Sequence, residues 1–224
     1  IIVGGGIGGL AAALALAQKT FDVIVLEQAD GFKEIGAGIQ LGPNVFEMFK
    51  ALNLIEPVEE LAVFPDALVM RDALTANAIT RIPINTASFK KQFRFPYGVI
   101  YRPDLLNILK QACDQLPNIN IIFNKRVVKT KQTPTKAFVI CEDDSSYEAQ
   151  AVIGADGLWS EIRKNILGSE APRVSGHIAY RAVLPIDDVP EWSCNNEVTL
   201  WAGPKTHLVQ YPLHRGEIMN LVAA

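Results

Sequence analysis

The chain has 224 residues, 49% of them hydrophobic and 20% charged, with a formal net charge of −3. That length supports one large domain or two small ones with a real core. The charge excludes a basic nucleic-acid groove and a Lys/Arg-rich membrane-binding surface. Three cysteines (Cys113, Cys141, Cys194), far apart and odd in number, argue against a disulfide framework and for a reducing compartment, the cytoplasm. No clustered Cys/His spacing marks a metal site.

Ile1 to Ala17 is apolar and uncharged. It lacks the basic n-region of a signal peptide and is short for a membrane span. Ile1-Ile2-Val3 reads instead as a buried strand, Leu10 to Lys19 as a helix, and Phe21 to Leu26 as a second strand. Between the first strand and the helix, Gly4, Gly6 and Gly9 satisfy GxGxxG, with Ile7 and Gly8 inside the turn. Each glycine has a physical reason. Gly4 permits the tight turn, Gly6 lets a pyrophosphate approach the backbone, and Gly9 lets helix and strand pack closely. The helix N-terminus offers free N–H groups and the positive end of its dipole to the phosphates. Eighteen residues after Gly9 stands Glu27, where an acid accepts hydrogen bonds from ribose hydroxyls. Strand, turn, helix, second strand and acid together make an ADP-binding site, for either NAD or FAD.

Phe32 to Asn44 reads as a glycine-rich loop where a plain NAD domain would continue into a helix. Its three glycines in seven residues, Gly36, Gly38 and Gly42, suit backbone pressed near a flat ligand, and apolar Ile35, Ile39 and Leu41 argue against a purely solvated loop. Pro43 to Leu54 reads as a helix, Ala67 to Arg71 and Ala78 to Ile84 as strands, and Ser88 to Pro96 as a basic, aromatic connector. Gly98 to Tyr101 is a strand that runs into a helix at Arg102, a position open to a solvated, a structural or a ligand-binding arginine. Strands follow at Ile119 to Phe123, Arg126 to Lys131 (with Val127), Ala137 to Cys141 and Tyr147 to Ile153. The last leads into Asp156-Gly157 and a helix with Ser160 near its start. Asp156 is either a ligand carboxylate or part of an ordinary strand-ending turn. Thr206 to Tyr211 is a strand on which His207, Val209 and Tyr211 share one face.

The glycine motif, Arg102 in Tyr-Arg-Pro-Asp-Leu, and Asp156-Gly157-x-x-Ser160-x-x-Arg163 together resemble the single-component flavoprotein aromatic hydroxylases. The resemblance implies an α/β fold: a Rossmann-like FAD-binding domain of the p-hydroxybenzoate hydroxylase type with an inserted β-sheet substrate domain. The FAD-binding part is expected at 1–66 and 96–172, the substrate sheet at 67–95 and 173–224. FAD is the implied cofactor, held by Gly4, Gly6, Ile7, Gly8, Gly9, Glu27, Gly38, Ile39, Gln40, Arg102, Val127 and Asp156. NADH or NADPH supplies electrons, O2 supplies oxygen, and the substrate is a small phenolic aromatic acid. Ala179 to Ala182 and Gly203 to Leu213 leave hydroxybenzoates, salicylate and hydroxypyridine acids as alternatives. His207 is the implied base for the phenol proton and Tyr211 a substrate hydrogen-bond partner. From the residues alone, His207 reads as a core or edge histidine, and His177 and His214 as structural or solvent-facing. The family's Gly-Asp-x-x-His-Pro motif is absent and is expected beyond Ala224, so the chain reads as an N-terminal fragment, inactive by itself. An NAD-linked dehydrogenase and a non-catalytic flavin-binding or prenyl-carrier protein are the other readings. No nucleic-acid partner, membrane span or metal is expected, and a homodimer stays open.

Overall fold

The computed structural model describes residues 1–32, 37–168 and 172–224. They form two compact units: Ile1–Glu34 with Leu106–Val174, and Ile35–Leu105 with Ser175–Ala224. The division falls inside the helix Arg102–Asp114. Residues 35–66 and 96–105, grouped by expected function with the nucleotide-binding part, cluster by compactness with the second unit.

The first unit is built on a parallel four-stranded sheet in the order Ile153–Gly154, Ile2–Val3, Val23–Leu26, Ile119–Ile122. Ile2 pairs with Val25 on one side and with Ile153 on the other. The helix Ile7–Ala17 connects the first two strands of the chain. It buries Leu10, Ala13, Leu14 and Ala17, the i, i+3, i+4, i+7 stripe of an amphipathic helix. Full burial of a leucine contributes about 1.5–3 kcal/mol, so Leu10 and Leu14 hold this helix down. An antiparallel sheet follows, Val127–Gln132 with Ala137–Cys141 with Ser146–Ala149. Ile162, from the helix Glu161–Leu167, joins Val3, Leu26, Val127, Val139 and Cys141 in one core cluster.

The single strand expected over Tyr147 to Ile153 is two strands in different sheets. Ser146–Ala149 pairs antiparallel with Ala137–Cys141, and Ile153–Gly154 pairs parallel with Ile2–Val3. Both halves read as extended chain, and only the pairing partners tell them apart.

The second unit holds a six-stranded sheet in the order Tyr180–Pro185, Ile218–Ala223, Thr206–Leu213, Glu197–Gly203, Ala67–Asp72, Ala78–Pro83. All neighbours are antiparallel except Glu197–Gly203 with Ala67–Asp72. Part of the expected glycine-rich loop is instead a strand: Gly38–Leu41 pairs antiparallel with Gly98–Tyr101. The loop's Lys33 to Gly36 lie outside the described residues. The connector expected over Ser88 to Pro96 contains the short helix Ala87–Phe93. Thr86 Oγ1 caps it by accepting the Phe89 N–H at 3.1 Å. Val99, Val198, Tyr211 and Leu213 form a core cluster of this unit.

Candidate functional site

In the first unit the glycine turn divides its labour. Gly4 has φ +103°, in the left-handed region, and a Cβ there would lie 2.4 Å from the Ala155 carbonyl oxygen. A Cβ at Gly9 would lie 1.9 Å from the Gly4 carbonyl oxygen. Both positions therefore require glycine for the fold itself. Gly6 is different. Its φ of −68° suits any residue, and a Cβ there meets nothing within 4 Å. The protein leaves that space open, where a phosphate would need the backbone. Gly6 caps the helix Ile7–Ala17 with no side-chain hydrogen bond, and the first turn carries no acid. The N–H groups of that turn and the positive dipole end are thus available to an anion.

Glu27 follows the strand Val23–Leu26 and faces the turn. Its Oε2 accepts the Gly5 N–H at 2.6 Å and its Oε1 accepts the Ala29 N–H at 2.9 Å. A carboxylate oxygen can accept more than one bond, so the ribose role expected for Glu27 stays open alongside this bracing role. Asp156 is similarly engaged: Oδ1 accepts the Ser160 hydroxyl at 2.6 Å and Oδ2 accepts the Ile162 N–H at 3.1 Å. Ser160 Oγ in turn accepts the Arg163 N–H at 2.9 Å. The turn between them needs Gly157, whose φ is +73°. The Asp-Gly segment is therefore a built cap for the helix Glu161–Leu167.

These residues surround a cavity of about 640 Å³, lined by Gly4, Gly6, Glu27, Val127 and Asp156 among others. Its size is that of a small-molecule or cofactor site. Ile7, Gly8 and Gly9, at the start of the helix, are not among the residues that line it. Sequence reading missed Lys125 and Arg126, which also line it. Lys125 Nζ donates to Asp143 Oδ2 at 2.5 Å and to Ser145 Oγ at 3.0 Å. The ion pair raises the lysine above its usual value and holds the Asp143 carboxyl down to about 2. Arg126 pairs more loosely with Glu142, at 3.8 Å. Two basic residues at the start of a polar strand look like a solvated edge until the sheet folds back beside the glycine turn.

In the second unit a different group of expected residues meets. The Gly38 N–H donates to Asn220 Oδ1 at 2.9 Å, and a Cβ on Gly38 would fall 2.5 Å from Tyr211 Cε2. Gln40 Oε1 accepts the Tyr97 hydroxyl at 2.5 Å. Ile39 pairs with Ile100 in the ribbon. The Arg102 N–H donates to the Ala37 carbonyl at 3.2 Å, where strand becomes helix as expected. Tyr211 is only 4% exposed, and burial pushes its phenol up to about 12, against the opposing charge of Arg181. Tyr97 is also pushed up to about 12, first by burial and then by the charge of Tyr211.

His207 is exposed, at the other end of the same strand face, with its backbone N–H and C=O bonded to Ala224. His177 is exposed, while His214 Nδ1 lies 2.8 Å from Asp104 Oδ2. Asn220 is fully buried opposite Tyr211, a placement not legible in the sequence. A single asparagine inside Ile218–Ala223 gives no signal without its register.

A glycine-built helix N-terminus, an acid after the second strand and an Asp-Gly turn around one cavity define a dinucleotide-cofactor binder. The family model described as FAD binding domain matches residues 1–203, and the chain belongs to that family. It is 41% identical over 222 residues to 3-hydroxybenzoate 6-hydroxylase 1 of Aquipseudomonas alcaligenes, covering 99% of this chain and 56% of that protein. To 3-hydroxybenzoate 6-hydroxylase of Polaromonas naphthalenivorans it is 42% identical, covering 99% and 55%. The chain thus spans about half the length of the curated relatives it matches. The solved structure of Klebsiella pneumoniae HpxO complexed with FAD and uric acid superposes with a TM-score of 0.87 at 22% identity, covering 100% of this chain and 55% of that one. That likeness shows the fold, an α/β FAD-binding fold. Among the described residues no helix is long and apolar enough to cross a membrane.

Proposed function

We propose that the protein containing this chain is an FAD-dependent monooxygenase that converts 3-hydroxybenzoate to gentisate with NADH or NADPH and O2. One oxygen atom enters the ring and the other leaves as water, with two electrons from the reduced nicotinamide. The observation that carries this reading is the open cradle at Gly6. It lies between a brace at Glu27 and a cap at Asp156, in a chain 41% identical to a 3-hydroxybenzoate hydroxylase. Salicylate and hydroxypyridine acids are the competing substrates.

When bound, FAD supplies the redox chemistry, taking electrons from the nicotinamide and activating O2. The chain supplies position and protons. The N-terminal N–H groups of Ile7–Ala17 hold the pyrophosphate, Glu27 holds the ribose, and Asp156 fixes the far side of the cavity. Gly38, Ile39, Gln40 and Arg102 serve the flavin end. His207 takes the phenol proton at a ring nitrogen, which makes the aromatic ring more electron-rich. Tyr211, protonated far above neutral pH, donates to the substrate.

The test is a substrate panel on the complete natural protein, reading NADH consumption and product identity together. Gentisate from 3-hydroxybenzoate is expected; coupled product from salicylate or a hydroxynicotinate instead overturns the substrate assignment. A colourless protein without flavin absorbance would favour an NAD-linked dehydrogenase. His207→Ala is expected to keep FAD and greatly slow hydroxylation in stopped flow, and an unchanged hydroxylation step removes His207 as the base.

A further inference from the structure

The hairpin that joins the strands Thr206–Leu213 and Ile218–Ala223 turns through His214 and Arg215, at φ +49° and +59°. Two consecutive left-handed residues with large side chains are strained; glycine and asparagine are the residues that tolerate that region. Such strain persists only where the surroundings hold it, and it gathers at the working parts of a fold. Here each side chain grips a different helix. His214 Nδ1 lies 2.8 Å from Asp104 Oδ2, in the first turn of Arg102–Asp114. A carboxylate only accepts, so Nδ1 carries the proton. The other ring nitrogen lies 3.6 Å from Glu217 Oε2, on the turn itself. Arg215 donates to the Glu60 carbonyl at 3.0 Å and to Glu60 Oε1 at 2.7 Å, on the helix Ile55–Leu61.

The two grips differ in what they reach. Arg215 and Glu60 are exposed, the setting in which an ion pair contributes little. The Asp104 side chain is only 18% exposed, and its bond closes a circuit. Two residues before Asp104, the Arg102 N–H donates to the Ala37 carbonyl at 3.2 Å. The next residue, Gly38, donates to Asn220 Oδ1 at 2.9 Å, and a Cβ on it would meet Tyr211 Cε2 at 2.5 Å. Tyr211 is in register with Asn220 and stands three residues before His214 on the same hairpin. Breaking the bond between His214 and Asp104 opens this circuit at the helix that begins with Arg102. Breaking the bond between Arg215 and Glu60 leaves it closed.

We propose that His214 is a positioning residue: by gripping Asp104 it fixes the first turn of the Arg102 helix against the hairpin that carries Tyr211, and so sets the placement of Arg102 and of the strand Gly38–Leu41. The consequence for the reaction rests on the proposed function, in which Arg102 and that strand serve the flavin end and Tyr211 serves the substrate. His214 touches neither ligand. It acts through Asp104.

The experiment uses the complete natural protein and substitutions that do not add backbone strain. His214→Gly removes the ring and suits the left-handed backbone. His214→Asn also suits it, and places an amide nitrogen at the position of Nδ1, so it restores the donor to Asp104. Arg215→Gly is the control that loosens the same turn at its other grip. Asp104→Ala cuts the same bond from the helix side and takes the place of His214→Gly should that variant not fold.

Two readouts are taken. The first is amide hydrogen exchange in the flavin-free protein, over peptides that contain Arg102 and Gly38. In His214→Gly these amides are expected to exchange about tenfold faster or more, while His214→Asn and Arg215→Gly stay within about twofold of wild type. The second is the share of NADH oxidised with 3-hydroxybenzoate that appears as hydroxylated product rather than hydrogen peroxide. That share is expected to fall at least about threefold in His214→Gly and to recover in His214→Asn. Faster exchange confined to 214–217 overturns the proposal, because the grip then holds only its own turn. Faster exchange at Arg102 with an unchanged product share overturns it too, because the bond is then merely structural. A wild-type protein that does not oxidise NADH in the presence of 3-hydroxybenzoate refutes the proposed function instead, and the exchange measurement still decides whether His214 holds Arg102 in place.

Discussion

Replacing Gly6 and Gly9 separately by alanine distinguishes the glycine that serves the ligand from the one that serves the fold. At Gly9 the new Cβ would sit 1.9 Å from the Gly4 carbonyl oxygen, which is backbone on both sides and has nowhere to go. Overpacking of that kind costs about 1–3 kcal/mol, and the severity here places it at the upper end. Alanine's better helix propensity returns about 1 kcal/mol. The net expectation is a loss of about 2 kcal/mol. At Gly6 the Cβ enters open space and φ is −68°. Losing glycine as the cap residue costs up to about 1 kcal/mol, and the stiffer unfolded chain offsets about 0.4–1 kcal/mol. The two nearly cancel, so stability stays within about 0.5 kcal/mol of wild type. FAD affinity, however, is expected to fall by tenfold or more, because the methyl occupies the place of a phosphate oxygen. Denaturant titration of the apo form and FAD titration by fluorescence measure the two effects independently. If Gly6→Ala destabilises as much as Gly9→Ala, or binds FAD like wild type, the division of roles is wrong.

Three further outcomes follow from the same geometry. Ser160→Ala removes both the donor to Asp156 and the acceptor for the Arg163 N–H. It is expected to cost about 1 kcal/mol and to weaken FAD binding, read by thermal denaturation with and without FAD. Tyr211 and Tyr97 have phenols raised to about 12 in the folded state, so the stability they contribute is complete below their unfolded value near 10 and is lost as pH rises through about 12. For Tyr211 two units amount to about 3 kcal/mol. Alkaline unfolding should therefore carry a late phenolate component in ultraviolet difference spectra that Tyr97→Phe and Tyr211→Phe each reduce. Cys113, fully buried with its thiol pushed up to about 12 by burial, is expected to resist alkylation until the protein unfolds. Mass mapping that finds Cys113 modified at the same rate as exposed Cys194 contradicts that burial.

The amino-acid sequence alone determined the nucleotide cradle. Its signals are local: three glycines at fixed spacing, an apolar strand before them, a helix after them and Glu27 at the end of the next strand. The same locality made Arg102 legible at a strand-to-helix junction and Asp156 at a strand-ending turn. Only the tertiary structure decided which glycine positions are closed to a side chain and which are open, because at Gly4 that depends on Ala155, 151 residues away in the chain. It alone split 147–153 between two sheets and made a strand of Gly38–Leu41, since extended chain reads the same whichever partner pairs with it. It also set Asn220 opposite Tyr211 and against Gly38. A buried amide in an apolar strand is invisible to periodicity. It gains its meaning from register, and register comes from long-range pairing that no local pattern encodes.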